Sequence, residues 1–283
     1  HCSGFKRREN VGTYFAELYQ IYYLHGFIGG AVSQTGKLGY VPAFLTPEVR
    51  RHLNAFALGA RDGARLVGRG DVEVYVTSEL GDWFAPDKAE LAAKTLIDNY
   101  DVDVIAYTED SPKVLQVAEE YQTLKNKRVW SFSHYSDMSQ YGPHAHLTGQ
   151  IVNWGVIYAY ILAKYYAGAA ESEDIWARIG DFTPVRWMKP VEESTLGLKE
   201  GAVYMAKIKE EVVPANVLNA AKMLYEQMKE LLYEPFSGYD PIKKEPREIY
   251  DNNGVKRIEK GQRLSHDDLW NMDWLLDNVE LLG

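Results

Sequence analysis

Apolar and aromatic positions recur at three- and four-residue spacing through "NVGTYFAELYQIYYLHGFIGGAV" (Phe15, Leu18, Tyr22, Leu24, Ile28), which predicts a helix over about 13 to 31. "KLGYVPAF" then reads as a short buried strand. "TPEVRRHLNAFALGARDGA" reads as a helix opened by Thr46 as N-cap, with Pro47 at its first position. The rhythm continues with "DVEVYVTSE" as strand, "APDKAELAAKTLIDNY" as helix and "VDVIAYT" as strand. "SPKVLQVAEEYQTL" is a helix capped by Ser111 ahead of Pro112, and "RVWSFS" is a strand. Strands alternating with helices of a dozen or more residues predict a parallel sheet covered on both faces. These units fit one α/β lobe over residues 10–150. In open sheets of this kind, ligands bind where the carboxyl ends of strands meet the following loops. That rule nominates Phe44, the "GDWF" loop, Glu109 and Asp110, and Ser136 and Asp137.

After residue 150 the rhythm changes. "LTGQIV" leads into a helix at 153–168, "GAVYMAKI" alternates like a strand, and "ANVLNAAKMLYEQMKELL" is a long helix. "REIYDNNGVKRI" predicts a β-hairpin around Asn253-Gly254. "SHDDLWNMDWLL" predicts a capped helix with Trp270 and Trp274 one turn apart. Without a complete βαβ series, residues 151–283 read as the remainder of another lobe.

Composition narrows the partners. The 283 residues are 46% hydrophobic and 25% charged, which is globular, and the richest apolar segment, "VNWGVIYAYILAKYYAG", is interrupted by Asn153 and Lys164. A net charge of −9 argues against a nucleic-acid surface, which needs clustered Lys and Arg, and favours a neutral or cationic small ligand. Cys2 is the one cysteine, so no intrachain disulfide forms. His1 before it is not the small residue of a lipid-processing site, and no apolar h-region precedes it.

"SHYSDMSQYGPHAHL" gathers His134, Asp137, His144 and His146, and a strand would put His144 and His146 on one face. The Gly142-Pro143 turn and the lack of a spaced ligand set favour solvent-facing turn histidines, so no metal is expected. No G-x-S-x-G, Walker loop or G-x-G-x-x-G is present; "HGFIGG" ends a helix instead of following a strand. Strand-end carboxylates suit either a glycosidase pair or the hydroxyls of a bound sugar, and nothing in the residues decides between them. The aromatic load, 20 Tyr and 7 Trp, favours binding of a flat ligand by stacking, with carboxylates accepting hydrogen bonds. Trp83, in a turn beside Asp82 and Phe84, suits that role; Trp154 suits stacking and core packing equally.

The pieces "NVGTYFAELYQIYYLHGFIGG", "GYVPAFLTPEVRRHLNAFALGAR", "DWFAPDKAELAAKTLID", "DVIAYTEDSP", "YSDMSQYGPHAHLTGQIVNWGVIY", "PFSGYDPI" and "LSHDDLWNMDWLLDNV" run in order along nearly the whole chain. In that combination the sequence resembles the basic membrane protein (BMP) family of solute-binding lipoproteins, purine-nucleoside-binding components of ABC importers. The resemblance implies an α/β, type I periplasmic-binding-protein-like fold: two doubly wound lobes joined by crossover strands and closing over a ligand. By it, residues 1–9 end a first-lobe segment and crossover, 10–150 form the second lobe, and 151–283 complete the first lobe.

Carried over by position, Trp83 matches the family's stacking aromatic, Asp137 its ribose-binding acid, Asp110 the acid of the "DSP" loop and Phe44 an aromatic at a strand end. Asn153 and Trp154 fall at the crossover, where many relatives carry a ribose-contacting lysine. The resemblance further implies no catalysis and no cofactor, a purine nucleoside ligand and an ABC permease partner. It places the protein outside the cytoplasm, membrane-anchored only through a lipid on an upstream segment. Two departures stand out: Ala85 replaces an acid common before the proline, and the family's first βα units are not in this sequence. Without them, residues 153–283 are expected to expose apolar sheet surface. The alternatives are a nucleoside or sugar hydrolase using Asp137 or Asp110, and a two-lobed ligand-sensing regulator, which lacks a helix-turn-helix here.

Overall fold

The computed structural model describes residues 1–4, 6–182 and 201–283. In chain order the elements begin with β1 (Thr13–Ala16), α1 (Tyr19–Val32), β2 (Lys37–Val41), α2 (Pro47–Leu66), β3 (Glu73–Val76), α3 (Pro86–Tyr100) and β4 (Val104–Tyr107). They continue through α4 (Lys113–Leu124), β5 (Trp130–Ser133), β6 (His146–Val152), α5 (Trp154–Tyr166), β7 (Asp174–Ala177), β8 (Val203–Met205) and α6 (Ala215–Lys229). The last are β9 (Tyr239–Asp240), β10 (Glu245–Pro246), β11 (Ile249–Tyr250), β12 (Lys256–Ile258), α7 (His266–Trp270) and β13 (Val279–Leu281).

A seven-stranded sheet in the order β13-β3-β2-β4-β5-β6-β8 forms the centre. All of its pairings are parallel except that of β8 with β6. One face is covered by α1, α2 and α6 in the larger core, the other by α3 and α4 in the smaller. The expected parallel sheet with helices on both faces is therefore present. Residues 151–283 are expected to complete the first lobe; of their strands, β8 and β13 extend the two edges of this sheet. β1 and β7 pair in parallel as a second, two-stranded sheet, with Thr13 opposite Asp174. The apolar surface left open lies on α5 more than on sheet: Leu162, Tyr165 and Tyr166 are exposed, Tyr166 by 83%.

The helix expected over 13–31 is a strand followed by a helix. Thr-Tyr-Phe-Ala at 13–16 extends to pair with β7, and the apolar spacing runs on through Glu17 and Leu18 into α1, so periodicity alone merges the two. α1 is buried along its whole length, as a helix apolar on nearly every side must be, and carries Gln20 and His25 inward with it. It meets α2 backbone to backbone. A Cβ on Gly26 would lie 1.9 Å from the Phe56 carbonyl oxygen, and one on Gly59 1.9 Å from that of Tyr23. "HGFIGG" is thus a close-packing surface, which is why it sits on a helix.

Other local expectations hold. Thr46 caps α2 by accepting from the Val49 N–H, with Pro47 in the first turn. Ser265 and Asp268 form the capping box of α7, which ends at Trp270, so Trp274 lies beyond the helix. β11 and β12 form the hairpin around Gly254, whose φ of 78° suits glycine. Ser111 lies one residue outside the position expected: α4 begins at Lys113, and the Ser111 hydroxyl accepts from its N–H.

At the junction of β1 and α1 sits Glu17, wholly buried. It accepts from Arg51 Nε at 2.8 Å and from a second Arg51 nitrogen at 2.5 Å. His52 Nε2 lies 3.0 Å away, and the N–H groups of Leu18 and Tyr19 also donate. Burial alone would raise its pKa; the Arg51 charge and the bonds from His52 and Arg51 overcome this and lower it to about 2. Arg51 also donates to the Leu269 carbonyl and lies over the Trp176 ring of β7 at 5.0 Å. One ion pair thereby ties the two-stranded sheet, α2 and the C-terminal segment together. Because removing Glu17 strands a buried guanidinium, Glu17→Ala should destabilise the chain by about 3–5 kcal/mol. Chemical denaturation checks this; a loss under 1 kcal/mol, within the ~0.5 kcal/mol spread of surface changes, would mean the pair holds nothing.

Candidate functional site

The loops at the carboxyl ends of β2, β3 and β4 are bonded to one another. Leu80 N–H donates to the Pro42 carbonyl, Gly81 N–H to that of Ala43, and Leu45 N–H to the Glu79 carboxylate at 2.6 Å. Glu109, fully buried, accepts from Ala85 N–H at 2.9 Å and from the Ser111 hydroxyl at 2.7 Å. Asp110 N–H donates to the Trp83 carbonyl at 2.8 Å. Trp83 and Asp110 are therefore held in fixed register. Asp82 turns its carboxylate back to the Phe84 N–H, which shapes the "GDWF" turn. Phe44 meets the Trp83 indole with ring centres 5.1 Å apart.

These loops border a cavity of about 300 Å³ lined by Trp83, Asp110, Thr108, Glu48, His134 and Tyr135, with Ser3 on the side of the N-terminal segment. Trp83 is 40% exposed, enough to offer a ring face. Among the described residues, the lining carries two carboxylates and one histidine and no Lys or Arg. Burial and the neighbouring charge of Glu109 raise the Asp110 pKa. Burial raises that of Glu48 as well, against the charge of His52 and with that of Glu17. Tyr135 adopts a left-handed backbone, φ 61°, and its hydroxyl points to Glu48 Oε1 at 3.4 Å. Non-glycine residues hold that conformation only where their surroundings impose it. Here the Val152 N–H binds the Tyr135 carbonyl and the ring packs on His134.

Of the residues nominated from sequence, the structure brings together Trp83, Asp110 and Phe44. Asp137 lies on an exposed turn outside the cavity lining, accepting from the Ser139 N–H at 2.9 Å. Partial burial opposes its ionisation, but Ser139 outweighs it and lowers the pKa. Asn153 stands at the N-cap position of α5 without a side-chain capping bond, and Trp154 packs on Tyr14 and Tyr158; neither lines the cavity. Thr108 and His134 follow strands and fall under the same strand-end rule that found Asp110. Glu48, in the first turn of α2, and Tyr135, defined by its backbone, carry no such signal.

The histidines do not all face solvent as expected. His144 does, pairing with Glu119. His146 is buried and bonds the Ser133 hydroxyl at 2.5 Å, and His134 is buried against Gln150 and Tyr22. The cause is register: β6 begins at His146, and His134 follows β5 directly. Among the described residues no group of three or more His, Cys, Asp or Glu is placed to hold a metal ion. None of their helices is long and apolar enough to cross a membrane.

The parallel sheet with its strand-end cavity and the second small sheet define the class: a type I periplasmic-binding-like, solute-binding fold. An ABC transporter solute-binding protein from Aeropyrum pernix K1 matches it with TM-score 0.64 at 13% identity, over 81% of this chain and 68% of that one. Residues 1–181 match the Bmp family, described as ABC transporter substrate-binding protein PnrA-like, and the chain belongs to that family. It is 29% identical to a purine-binding protein of Brucella abortus (strain 2308) over 280 residues, 99% of this chain and 68% of the relative. It is 32% identical over 185 residues, 65% of this chain, to TsgA13 of Haloferax volcanii, provisionally named an ABC transporter glucose-binding protein. The chain spans 44% of that relative's length.

The buried histidines make stability acid-sensitive. His25 stacks on Phe132, ring centres 4.4 Å apart, and burial lowers its pKa to about 3; burial lowers that of His146 to about 4. Both fall below the unfolded value of 6.5, so the unfolded chain binds more protons. The stability is complete above 6.5 and is lost as pH falls towards the folded values. Each histidine should contribute a slope approaching ~1.4 kcal/mol per pH unit in that window. His25→Phe should flatten the fall of the melting temperature between pH 6.5 and 4. An unchanged pH profile would show that His25 does not titrate with unfolding.

Proposed function

We propose that the chain is the ligand-binding part of an ABC importer, acting outside the cytoplasm and holding a neutral purine nucleoside in the cavity beside Trp83. The observation that carries this is the pairing of a half-exposed indole, backed by Phe44, with two carboxylates and, among the described residues, no Lys or Arg in the lining. A flat base stacks on the indole, and its N–H groups and ribose hydroxyls are donors that carboxylates accept. A phosphorylated ligand meets two acids and no counter-charge, so nucleosides are favoured over nucleotides. The purine-binding relative supports the same class. Closure of the other lobe over the ligand would present the loaded form to a permease. Hydrolysis has no such support.

A second reading, a monosaccharide, draws on the name of the Haloferax relative and on the same indole and acids, which also suit sugar hydroxyls. Calorimetric titration with adenosine, guanosine, inosine and D-glucose separates the two. Heat with a nucleoside and none with glucose is expected; heat with glucose alone would replace the nucleoside reading.

Trp83→Ala should weaken nucleoside binding by about 1–3 kcal/mol. Asp110→Ala should cost on the order of 1.5–3 kcal/mol. Asp137, which the family resemblance puts on the ribose, stands outside the cavity, so Asp137→Ala should cost less than Asp110→Ala. The reverse order would move the ribose site to the Asp137 turn.

A further inference from the structure

His134 is 2% exposed, yet one edge of its ring reaches the cavity. Its Nδ1 faces inward, 2.6 Å from Gln150 Nε2 and 3.1 Å from the Tyr22 hydroxyl. The Tyr22 proton is committed to the Tyr107 carbonyl at 2.6 Å, so Tyr22 offers its oxygen. Gln150 Nε2 lies 3.1 Å from that oxygen and donates to both partners. The reversed amide would trade these two bonds for one accepted from Nδ1–H and leave the NH₂ at the place where the Gln150 oxygen has no partner. Two donated bonds with an orphan oxygen are better than one bond with an orphan NH₂. Nδ1 is thus an acceptor, and the ring proton of the neutral imidazole sits on Nε2. Nε2 lies 4.0 Å from Asp110 Oδ1, at the cavity.

We infer that His134 Nε2–H and the Asp110 carboxylate form a donor and acceptor pair that reads an adjacent acceptor and donor on the edge of the ligand's base, with Gln150 as the residue that positions the proton. The inference rests on the nucleoside reading and names what that site selects. Adenine carries such an edge at N7 and its 6-amino group, and 6-oxopurines carry one at O6 and N1–H. A purine with ring acceptors and no N–H beside them leaves Asp110 without a donor. Trp83, fixed to Asp110 through the backbone, holds the base plane while the pair sets which edge faces inward.

The test uses the full chain with adenosine, inosine, guanosine and purine riboside, the last lacking any base N–H. At least one of the first three should bind roughly 10-fold or more tighter than purine riboside. That margin should vanish in Asp110→Ala, and His134→Phe should weaken the preferred nucleoside by a similar factor. Nitrogen NMR of the ligand-free chain should show His134 protonated on Nε2. In Gln150→Glu, whose carboxylate accepts where the amide donated, the proton should move to Nδ1. Affinity should then fall although His134 is intact and the melting transition stays cooperative, which a merely structural role for Gln150 does not produce. An Nδ1–H tautomer in the parent chain, or purine riboside binding as tightly as the best nucleoside, overturns this inference alone. The expected tautomer with no heat from any of the four probes overturns the nucleoside reading and this edge with it.

Discussion

The buried carboxylate of Glu17 joins the β1–β7 sheet to the helices that cover the seven-stranded sheet. A charge with no solvent access persists only where its donors are already in place. Arg51 and His52 supply them from one turn of α2, and the first residues of α1 supply the rest. The glycine contact between α1 and α2 brings those helices close enough for the bonds to form, since any side chain at Gly26 or Gly59 would push the backbones apart. From the same helix, one turn earlier, Glu48 reaches the cavity. Tyr22, one turn into α1, stacks on His52 with ring centres 4.8 Å apart and touches His134. The interior that fixes the junction of the sheets is thus continuous with the wall of the site.

The site follows from the topology of the sheet. In a parallel sheet every strand delivers its next loop to the same end, and here the loops after β2, β3, β4 and β5 converge there. Buried Glu109 and the Trp83–Asp110 backbone bond hold them as one surface. A pre-set surface loses less freedom when a ligand arrives. The chemistry it offers is an indole face, two carboxylates and a histidine ring, which suit a neutral, flat, donor-bearing solute.

How much of this could be read from residues alone depends on the range of the interaction. Local signals held: the Thr46-Pro47 helix start, the Asn253-Gly254 hairpin and the strand and helix alternation are set by neighbours in sequence. Trp83, Asp110 and Phe44 were legible because the strand-end rule needs only the order of elements. The division of residues 13–31 was not, because what makes 13–16 a strand is β7, about 160 positions away. Edge strand β13 escaped for the same reason, and although "GAVYMAKI" was legible as the strand β8, its place beside β6 was not. Glu48 and Tyr135 are defined by where a helix turn and a left-handed residue land in space, and His134 by a network that joins three elements. The family resemblance, confirmed by the match over residues 1–181, supplied the architecture that local pattern could not. Its placement of Asp137 on the ligand is the point at which geometry and resemblance diverge.

Whether the cavity beside Trp83 holds a nucleoside is tested most directly by a crystal structure of the full chain grown with adenosine. The base should lie stacked on the Trp83 indole, with one edge toward His134 and Asp110. Adenosine bound elsewhere, with the Trp83 face left to solvent, would contradict it.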